Sequence, residues 1–364
     1  MHIFPFQALY PDPQRFTQVP DLFDVTRERY NNFVQAGLFL RTDQPGFFLY
    51  RIQTKSRHYL GLLACTDIAD YLCGDIKKHE STMPDEERKQ MLLTIERNAA
   101  VKPVLLVYPD APQIDTWIAR YVAQHEHFLE VYFPGDEQRH QLWWIQEVGA
   151  IQQLQALFAQ NVPHAYIADG HHRMAAFGLL AQTADEATRQ QYQHVYCAFF
   201  PSVELDILEF NRVVEIPAGF DLQQLAPFFT IQPLAQAAKP TRLHEMTLCT
   251  PQGWYQLQWK AEVLQLYDNE SVVLDTMLLN EKIIQPLLGI EDIRHDRRVE
   301  YIDAPKGLEI IEKKIKENHN KIGFCLYPVD FNDLMKIVEA NQTLPPKSTW
   351  FEPRMKNGLL VKPY

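Results

Sequence analysis

The chain has 364 residues and a mass of 42.5 kDa, room for about two domains of ~150 residues each. Its 46% apolar and 22% charged residues exclude a disordered, collagen-like or coiled-coil chain. A net charge of −11 without a basic tail argues against nucleic-acid binding through phosphate contacts, and only 14 glycines argue against glycine-rich phosphate loops.

Five cysteines, Cys65, Cys73, Cys197, Cys249 and Cys325, are far apart and form no Cys-x-x-Cys. They read as buried thiols of a reducing compartment. The start, Met1-His2-Ile3-Phe4-Pro5-Phe6, lacks the basic and apolar parts of a signal peptide. No apolar run approaches the ~20 residues of a membrane span. The expectation is a cytoplasmic protein with no membrane partner.

The first 45 or so residues, rich in Pro, Asp and Arg, read as loop. Two strands follow, Phe47–Ile52 and His58–Ala64, turning at Lys55-Ser56-Arg57. Pro84-Asp85-Glu86-Glu87 starts a helix, since proline suits the first helical position and acids suit the positive end of the dipole. Met91, Leu92, Ile95 and Ala99 give it an apolar face at helical spacing. A buried strand at 103–108, a helix near 113–125, strands at 128–133 and 141–145 and a helix at 147–160 come next. Thereafter a strand at 165–168 runs into Asp169-Gly170-His171-His172-Arg173, and Met174, Phe177, Leu180 and Ala181 take up helical spacing. A strand at 194–200 follows, then a helix with strands over 215–265, then helical segments and strands alternating to 338. The rhythm predicts an α+β fold with mixed sheets.

G-x-x-x-x-G-K-[ST], G-x-G-x-x-G and G-x-S-x-G are all missing, and His79-Glu80 and His244-Glu245 both fail H-E-x-x-H on spacing. The chemistry concentrates elsewhere. At 165–173 a buried strand ends, Gly170 permits a sharp turn, and a helix starts at once. The first helical turn offers unpaired N–H groups and a positive dipole end, and His171, His172 and Arg173 add donors, so the turn suits an anion such as phosphate. Asp169 could hold Mg²⁺, accept a proton, or simply cap the helix.

Lys77-Lys78-His79-Glu80-Ser81-Thr82 offers two cations, an imidazole, a carboxylate and two hydroxyls. Thr82 is spaced to cap the next helix, with Glu86 in reach of a capping box. His125-Glu126-His127 reads as a helix end. Asn211-Arg212 could be a buried ion pair. Pro345-Pro346-Lys347-Ser348-Thr349-Trp350 could hold a phosphate or lock the chain onto the body. Lys313, Lys314 and Lys316 beside Glu309, Glu312 and Glu317 read as a solvated face.

Ile76-Lys77-Lys78-His79-Glu80-x-Thr82, Tyr108-Pro109-Asp110, Ala168-Asp169-Gly170-His171-His172-Arg173, Asn211-Arg212-Val213-Val214 and Leu344-Pro345-Pro346-Lys347-Ser348-Thr349-Trp350-Phe351 occur in that order. Together they resemble the bacterial and archaeal family called domain of unknown function 1015. More remotely, the His-Glu segment, helix, Pro-Val strand and Asp-Gly-x-His-Arg turn resemble the ParB/sulfiredoxin fold, and within it the free serine kinases. About sixty residues separate Pro109 from Asp169, more than the compact pattern of those enzymes has.

The resemblance implies a mixed-sheet ParB/sulfiredoxin-like core at 1–213 with a large insertion at about 110–165. A C-terminal α/β extension at 214–364 would pack on it. It implies Glu80, Asp169 and His172 at the reacting phosphoryl group. Lys78, His79, Thr82, Gly170, His171 and Arg173 would bind nucleotide and phosphate, Asp169 could hold Mg²⁺, and Asn211, Arg212, Lys347, Ser348 and Thr349 are additional candidates. The leading expectation is a small-molecule kinase that moves a phosphoryl group from ATP or ADP to a serine-like hydroxyl compound. A ParB-like protein that binds or hydrolyses nucleotide without a metabolite acceptor is the second reading. A metal-dependent hydrolase with Asp169, His171, His172 and His79 as ligands is the third. The first two differ by transfer of label to a hydroxyl compound.

Overall fold

A computed structural model of the chain describes residues 1–15 and 22–364. Two compact units emerge: Met1–Asp206 together with Pro353–Tyr364, and Ile207–Glu352.

The first unit opens with β1 (Ile3–Phe4), β2 (Leu9–Pro11), α1 (Leu22–Gln35) and β3 (Phe39–Arg41). It continues with β4 (Phe47–Gln53), β5 (His58–Asp67), α2 (Ile68–Leu72), β6 (Ile76–Lys77), α3 (Pro84–Arg97) and β7 (Ala99–Ala100). Then come β8 (Val104–Tyr108), α4 (Pro112–Gln124), β9 (Leu129–Phe133), β10 (Gln138–Ile145), α5 (Val148–Asn161), β11 (Ala165–Asp169), α6 (His171–Thr183), α7 (Glu186–Tyr192) and β12 (His194–Pro201).

Its main sheet runs β6-β11-β8-β12-β5-β4-β10-β9, with β1 added alongside β5. The β6–β11 and β8–β12 pairs are parallel and the other pairs antiparallel, so the sheet is mixed as expected. β8, Val-Leu-Leu-Val-Tyr, is buried at all five positions, which is what a strand deep inside a covered sheet requires. α4 buries Ile114, Ile118 and Tyr121, one stripe at helical spacing. α5 buries Leu154 and Phe158 in the same core, where Phe158 meets the rings of Tyr108 and Phe199, both at 5.5 Å. The segment at 110–165 thus supplies two strands at one edge of the sheet and two helices.

The second unit follows β13 (Asp206–Leu208) with β14 (Phe210–Glu215), β15 (Phe229–Leu234), β16 (Glu245–Thr250), β17 (Gly253–Trp259), α8 (Ala261–Leu264) and α9 (Asp275–Leu278). A π-helical turn at Leu279–Ile284 leads to β18 (Val299–Asp303), α10 (Glu309–Glu317), β19 (Lys321–Cys325), α11 (Phe331–Glu339) and β20 (Trp350–Glu352). An antiparallel sheet in the order β15-β17-β16-β19-β14-β18 carries separate apolar clusters.

Five expectations need correction. The opening residues are not all loop: α1 buries Leu22, Phe23, Thr26, Tyr30 and Phe33 on one face. The cut after 213 falls inside β14. Moreover, the last segment returns to the first unit, where β21 (Lys362–Pro363) pairs with β7 and Val361 exchanges backbone hydrogen bonds with Leu9. α3 forms where the proline and acids place it, yet it has no buried residue, and Leu92 and Ile95 are 56% and 42% exposed. Thr82 does not cap α3. The N-cap is Met83, without a side-chain cap, and the Thr82 hydroxyl donates to Glu87 instead. Cys73 is also exposed, unlike the other four cysteines.

Burial sets the expected cost of substitution. Phe158→Ala should lower the unfolding free energy by about 3–5 kcal/mol, because a fully buried ring leaves a cavity. Leu92→Ala should cost under about 0.5 kcal/mol, although both side chains fall on helical apolar spacing in the sequence. Urea unfolding of the two variants checks the contrast.

Candidate functional site

The site is assembled by two short strands running in parallel. Ile76 pairs with Ala165 and Lys77 with Tyr166, so the residues that follow each strand emerge at the same end. After β6 those residues are Lys78, His79 and Glu80, and after β11 they are Gly170 and His171. A bulge between Ile167 and Asp169, opposite Leu106 and Leu105, adds a residue just before the turn and so re-aims Asp169.

Gly170 is the N-cap of α6 with φ of 100°, a conformation that favours glycine. A Cβ there would lie 2.6 Å from Nη2 of Arg173. Having no side chain, Gly170 places no acceptor over the first helical turn, which leaves that turn open to an external anion. The capping role weighed for Asp169 therefore belongs to Gly170.

Asp169 is the hub of an ion cluster. Arg173 Nη2 donates to Oδ2 at 2.9 Å, Arg354 Nη1 donates to Oδ1 at 3.0 Å, and Lys102 Nζ lies 3.5 Å from Oδ2. Burial works against the charge on Asp169, but the charges of Arg173, Lys102 and Arg354 outweigh it and hold the carboxyl well below its ordinary range. Burial lowers the Lys102 pKa, and Asp169 opposes that shift while Arg173 and Arg354 add to it. Arg173 also donates to the Pro103 carbonyl at 3.1 Å, while its Nε is buried without a hydrogen-bond partner among the described residues.

On the other side of the turn, His79 and His171 stand edge to face with ring centroids 4.4 Å apart. Nδ1 of His171 lies 3.9 Å from Oε2 of Glu80, whose side chain is 34% exposed. His79 is buried and hydrogen-bonds the Ile167 carbonyl, tying the β6 segment to β11. Burial lowers the His79 pKa to about 4, against that hydrogen bond, and lowers that of His171 well below its ordinary value, helped by His79. Both imidazoles are therefore neutral near pH 7. Nε2 of His171 is buried without a hydrogen-bond partner among the described residues.

The structure thus brings His79, Glu80, Asp169, Gly170, His171 and Arg173 together. His172 occupies the same first turn of α6, Lys78 is exposed beside His79, and Thr82 is engaged by Glu87. Asn211, Arg212, Lys347, Ser348 and Thr349 belong to the second unit. There Asn211 accepts from the Leu326 N–H at 3.1 Å, and Ser348 donates to the Pro345 carbonyl at 2.7 Å. Among the described residues Arg212 makes no ion pair; it lies fully buried over the Tyr301 ring, 5.6 Å from its centroid. Lys347 lies over Phe210 at 5.3 Å, and Thr349 is buried.

Sequence reasoning missed Lys102 and Arg354, which reach Asp169 across 67 and 185 residues. Lys102-Pro103 did carry a signal, a cation at the foot of the predicted β8. Arg354 carried none, because only the return of the last segment to the first unit brings it there.

The expected Mg²⁺ does not suit Asp169. Both its oxygens are taken by cations, and a divalent ion would be repelled by all three. Among the described residues no three His, Cys, Asp or Glu side chains are grouped to hold a metal ion. Among the same residues no helix is long and apolar enough to cross a membrane.

The chain belongs to the family described as protein of unknown function (DUF1015), whose model matches residues 10–318. No curated protein matches it. Among solved structures it is similar to a C-terminally truncated SbnI from Staphylococcus aureus, at 10% identity over 82% of this chain and 87% of that one, with a TM-score of 0.44. It is also similar to a free serine kinase variant in complex with AMP, at 12% identity over 82% and 92%, with a TM-score of 0.41. A conserved hypothetical protein from Pyrococcus furiosus gives 12% identity over 82% and 95%, with a TM-score of 0.39. At these scores the likeness is distant, and no residue of this chain takes a role from it.

The neutral histidines give a pH signature. Their folded pKa values lie below the ordinary 6.5, so on acidification the unfolded chain takes up protons first. Their contribution is intact above pH 6.5 and is lost as pH falls, for His79 down to about 4. Each should add a slope of up to about 1.4 kcal/mol per pH unit in that window. Asp169 stays ionised in the folded chain throughout it and adds to the slope only near its lower end, where the unfolded carboxyl begins to take up a proton. Unfolding free energies of the wild type and His79→Gln between pH 7 and 4 check this, the variant giving the shallower slope.

Proposed function

We propose that the first unit is a phosphotransferase that moves a phosphoryl group from ATP or ADP to a hydroxyl of a small metabolite, a serine-like amino acid being the leading class. The observation that carries this reading is the meeting of Glu80 with His171 at the open start of α6, next to cations gathered on Asp169. Phosphoryl transfer needs positioning, charge neutralisation and a group that takes the acceptor proton. The motif resemblance to free serine kinases points the same way.

In this reading the first turn of α6 and Arg173 hold phosphate oxygens, with Lys102 adding charge. Gly170 keeps the turn open, and Lys78 reaches the phosphates from the exposed side. His171, neutral and with Nε2 available, hydrogen-bonds the phosphoryl group, and His79 buttresses it. His172 stands on the acceptor side of the reacting group. Glu80 takes the proton as the acceptor oxygen bonds to phosphorus and the bridging oxygen leaves with the nucleotide. Asp169 acts through others: it positions Arg173, Lys102 and Arg354, and it is neither base nor metal ligand. Thr82 acts only through Glu87.

A base that works in the transition state contributes to turnover more than to nucleotide affinity. Glu80→Gln should therefore reduce transfer by about 100-fold or more, with nucleotide affinity nearly unchanged. Normal turnover by that variant would remove Glu80 from the chemistry. Arg173→Ala should weaken nucleotide binding by about tenfold or more, the worth of a charge-assisted contact. Labelled ATP with a panel of hydroxy amino acids reads transfer. Release of phosphate with no labelled acceptor would instead favour the ParB-like reading.

A further inference from the structure

Arg173 and Lys102 have a second side. They also line a cavity of about 160 Å³ in the first unit, whose other walls include Arg27 of α1 and Gln90, Thr94 and Arg97 of α3. Four cations face this space, and among the described residues that line it there is no carboxylate. The whole chain carries a net charge of −11, so such a gathering is a local exception.

α3 is built for this cavity. Its half-buried positions include Glu87, Gln90, Leu93, Thr94 and Arg97, with Met91 packed on the core, while Leu92 and Ile95 face solvent. A helix that merely covers a core would bury Leu92 and Ile95 as well as Met91, not Gln90, Thr94 and Arg97. Thr94 donates to the Gln90 carbonyl at 2.9 Å and Glu87 accepts from Thr82, but the Gln90 amide and the Arg97 guanidinium turned inward call for something polar in the space. Arg97 reflects the strain of the arrangement: burial and the like charge of Arg27 lower its pKa, partly opposed by Glu96 and Glu28. Those two carboxylates line a separate, more open cavity that shares Arg27 and Arg97.

We infer that the Arg27–Arg97 side of the cavity is a second anion subsite, contiguous with the α6 turn through Arg173 and Lys102, and that the ligand is a polyphosphate of at least pyrophosphate length. One phosphate sits at the start of α6, and the next is held by Arg27 and Arg97 with Gln90 and Thr94 as hydrogen-bonding partners. The inference rests on the phosphate role of the α6 turn proposed above. It adds that a monophosphate satisfies only half of the cations.

Calorimetric titration of the full chain with orthophosphate, pyrophosphate and tripolyphosphate at fixed ionic strength tests it. The wild type should bind pyrophosphate and tripolyphosphate about tenfold or more tighter than orthophosphate. Arg27→Gln and Arg97→Gln should each weaken the two polyphosphates by about tenfold and leave orthophosphate within about twofold. Arg97→Lys, which keeps the charge, should recover part of the loss, and unchanged melting temperatures show that the variants are folded. Equal affinity of the wild type for all three anions, or polyphosphate binding untouched in both glutamine variants, overturns the subsite. Arg173→Gln separates the two ideas. If it loses orthophosphate while the Arg27 and Arg97 variants behave as wild type, the subsite fails and the α6 site stands. If it binds orthophosphate normally, the α6 site itself fails.

Discussion

Everything at the candidate site hangs on one carboxylate. Asp169 is met by Arg173 from its own helix, Lys102 from the foot of β8 and Arg354 from the last segment of the chain. One negative charge against three positive ones is an unbalanced arrangement, and partly buried cations without full compensation are costly. Asp169 keeps the cations together, and on the proposed reading an anionic ligand would add to the negative charge they face. The fold is arranged around that demand. The β11 bulge aims Asp169, Gly170 clears the space above it, and the pairing of β21 with β7 returns Arg354 to the cluster.

What could be read from the sequence was local. The turn at 165–173 was legible because strand, glycine and helix follow one another with no gap, and the chemistry sits in five consecutive residues. His79 and Glu80 were legible as a polar motif, but their meeting with His171 depends on two parallel pairs between β6 and β11. A strand of two residues leaves no periodic signal. Lys102 and Arg354 were invisible as partners, since only long-range topology brings them to Asp169.

Two helices failed for opposite reasons. α1 was hidden because Thr26 and Tyr30 fill core positions amid Asp, Arg and Asn, so its stripe does not stand out by hydrophobicity. α3 was visible as a helix, but only part of its apolar stripe turns inward: Met91 packs on the core and Ala99 is buried just beyond the helix. Leu92 and Ile95 gave the expected spacing and face solvent, whereas Gln90, Thr94 and Arg97 face the cavity. Helical periodicity identifies two faces, and burial decides which one turns inward. On the inferred reading, the polar side chains that α3 turns toward the cavity are there to meet a ligand.

The two carboxylates of the site differ in surroundings, and on the proposed reading the difference divides their work. Asp169 is locked among cations and stays charged, which makes it a poor proton acceptor and a good anchor. Glu80 faces two imidazoles that burial keeps neutral. Were His171 charged, it would hold Glu80 in an ion pair and lower its basicity. With the histidines uncharged, a hydrogen-bonding nitrogen stands beside the carboxylate that would take the acceptor proton. The fixed positive charge lies where phosphate would sit, and little of it lies where a proton must move. Different charge around like groups is how one site can give two carboxylates two roles.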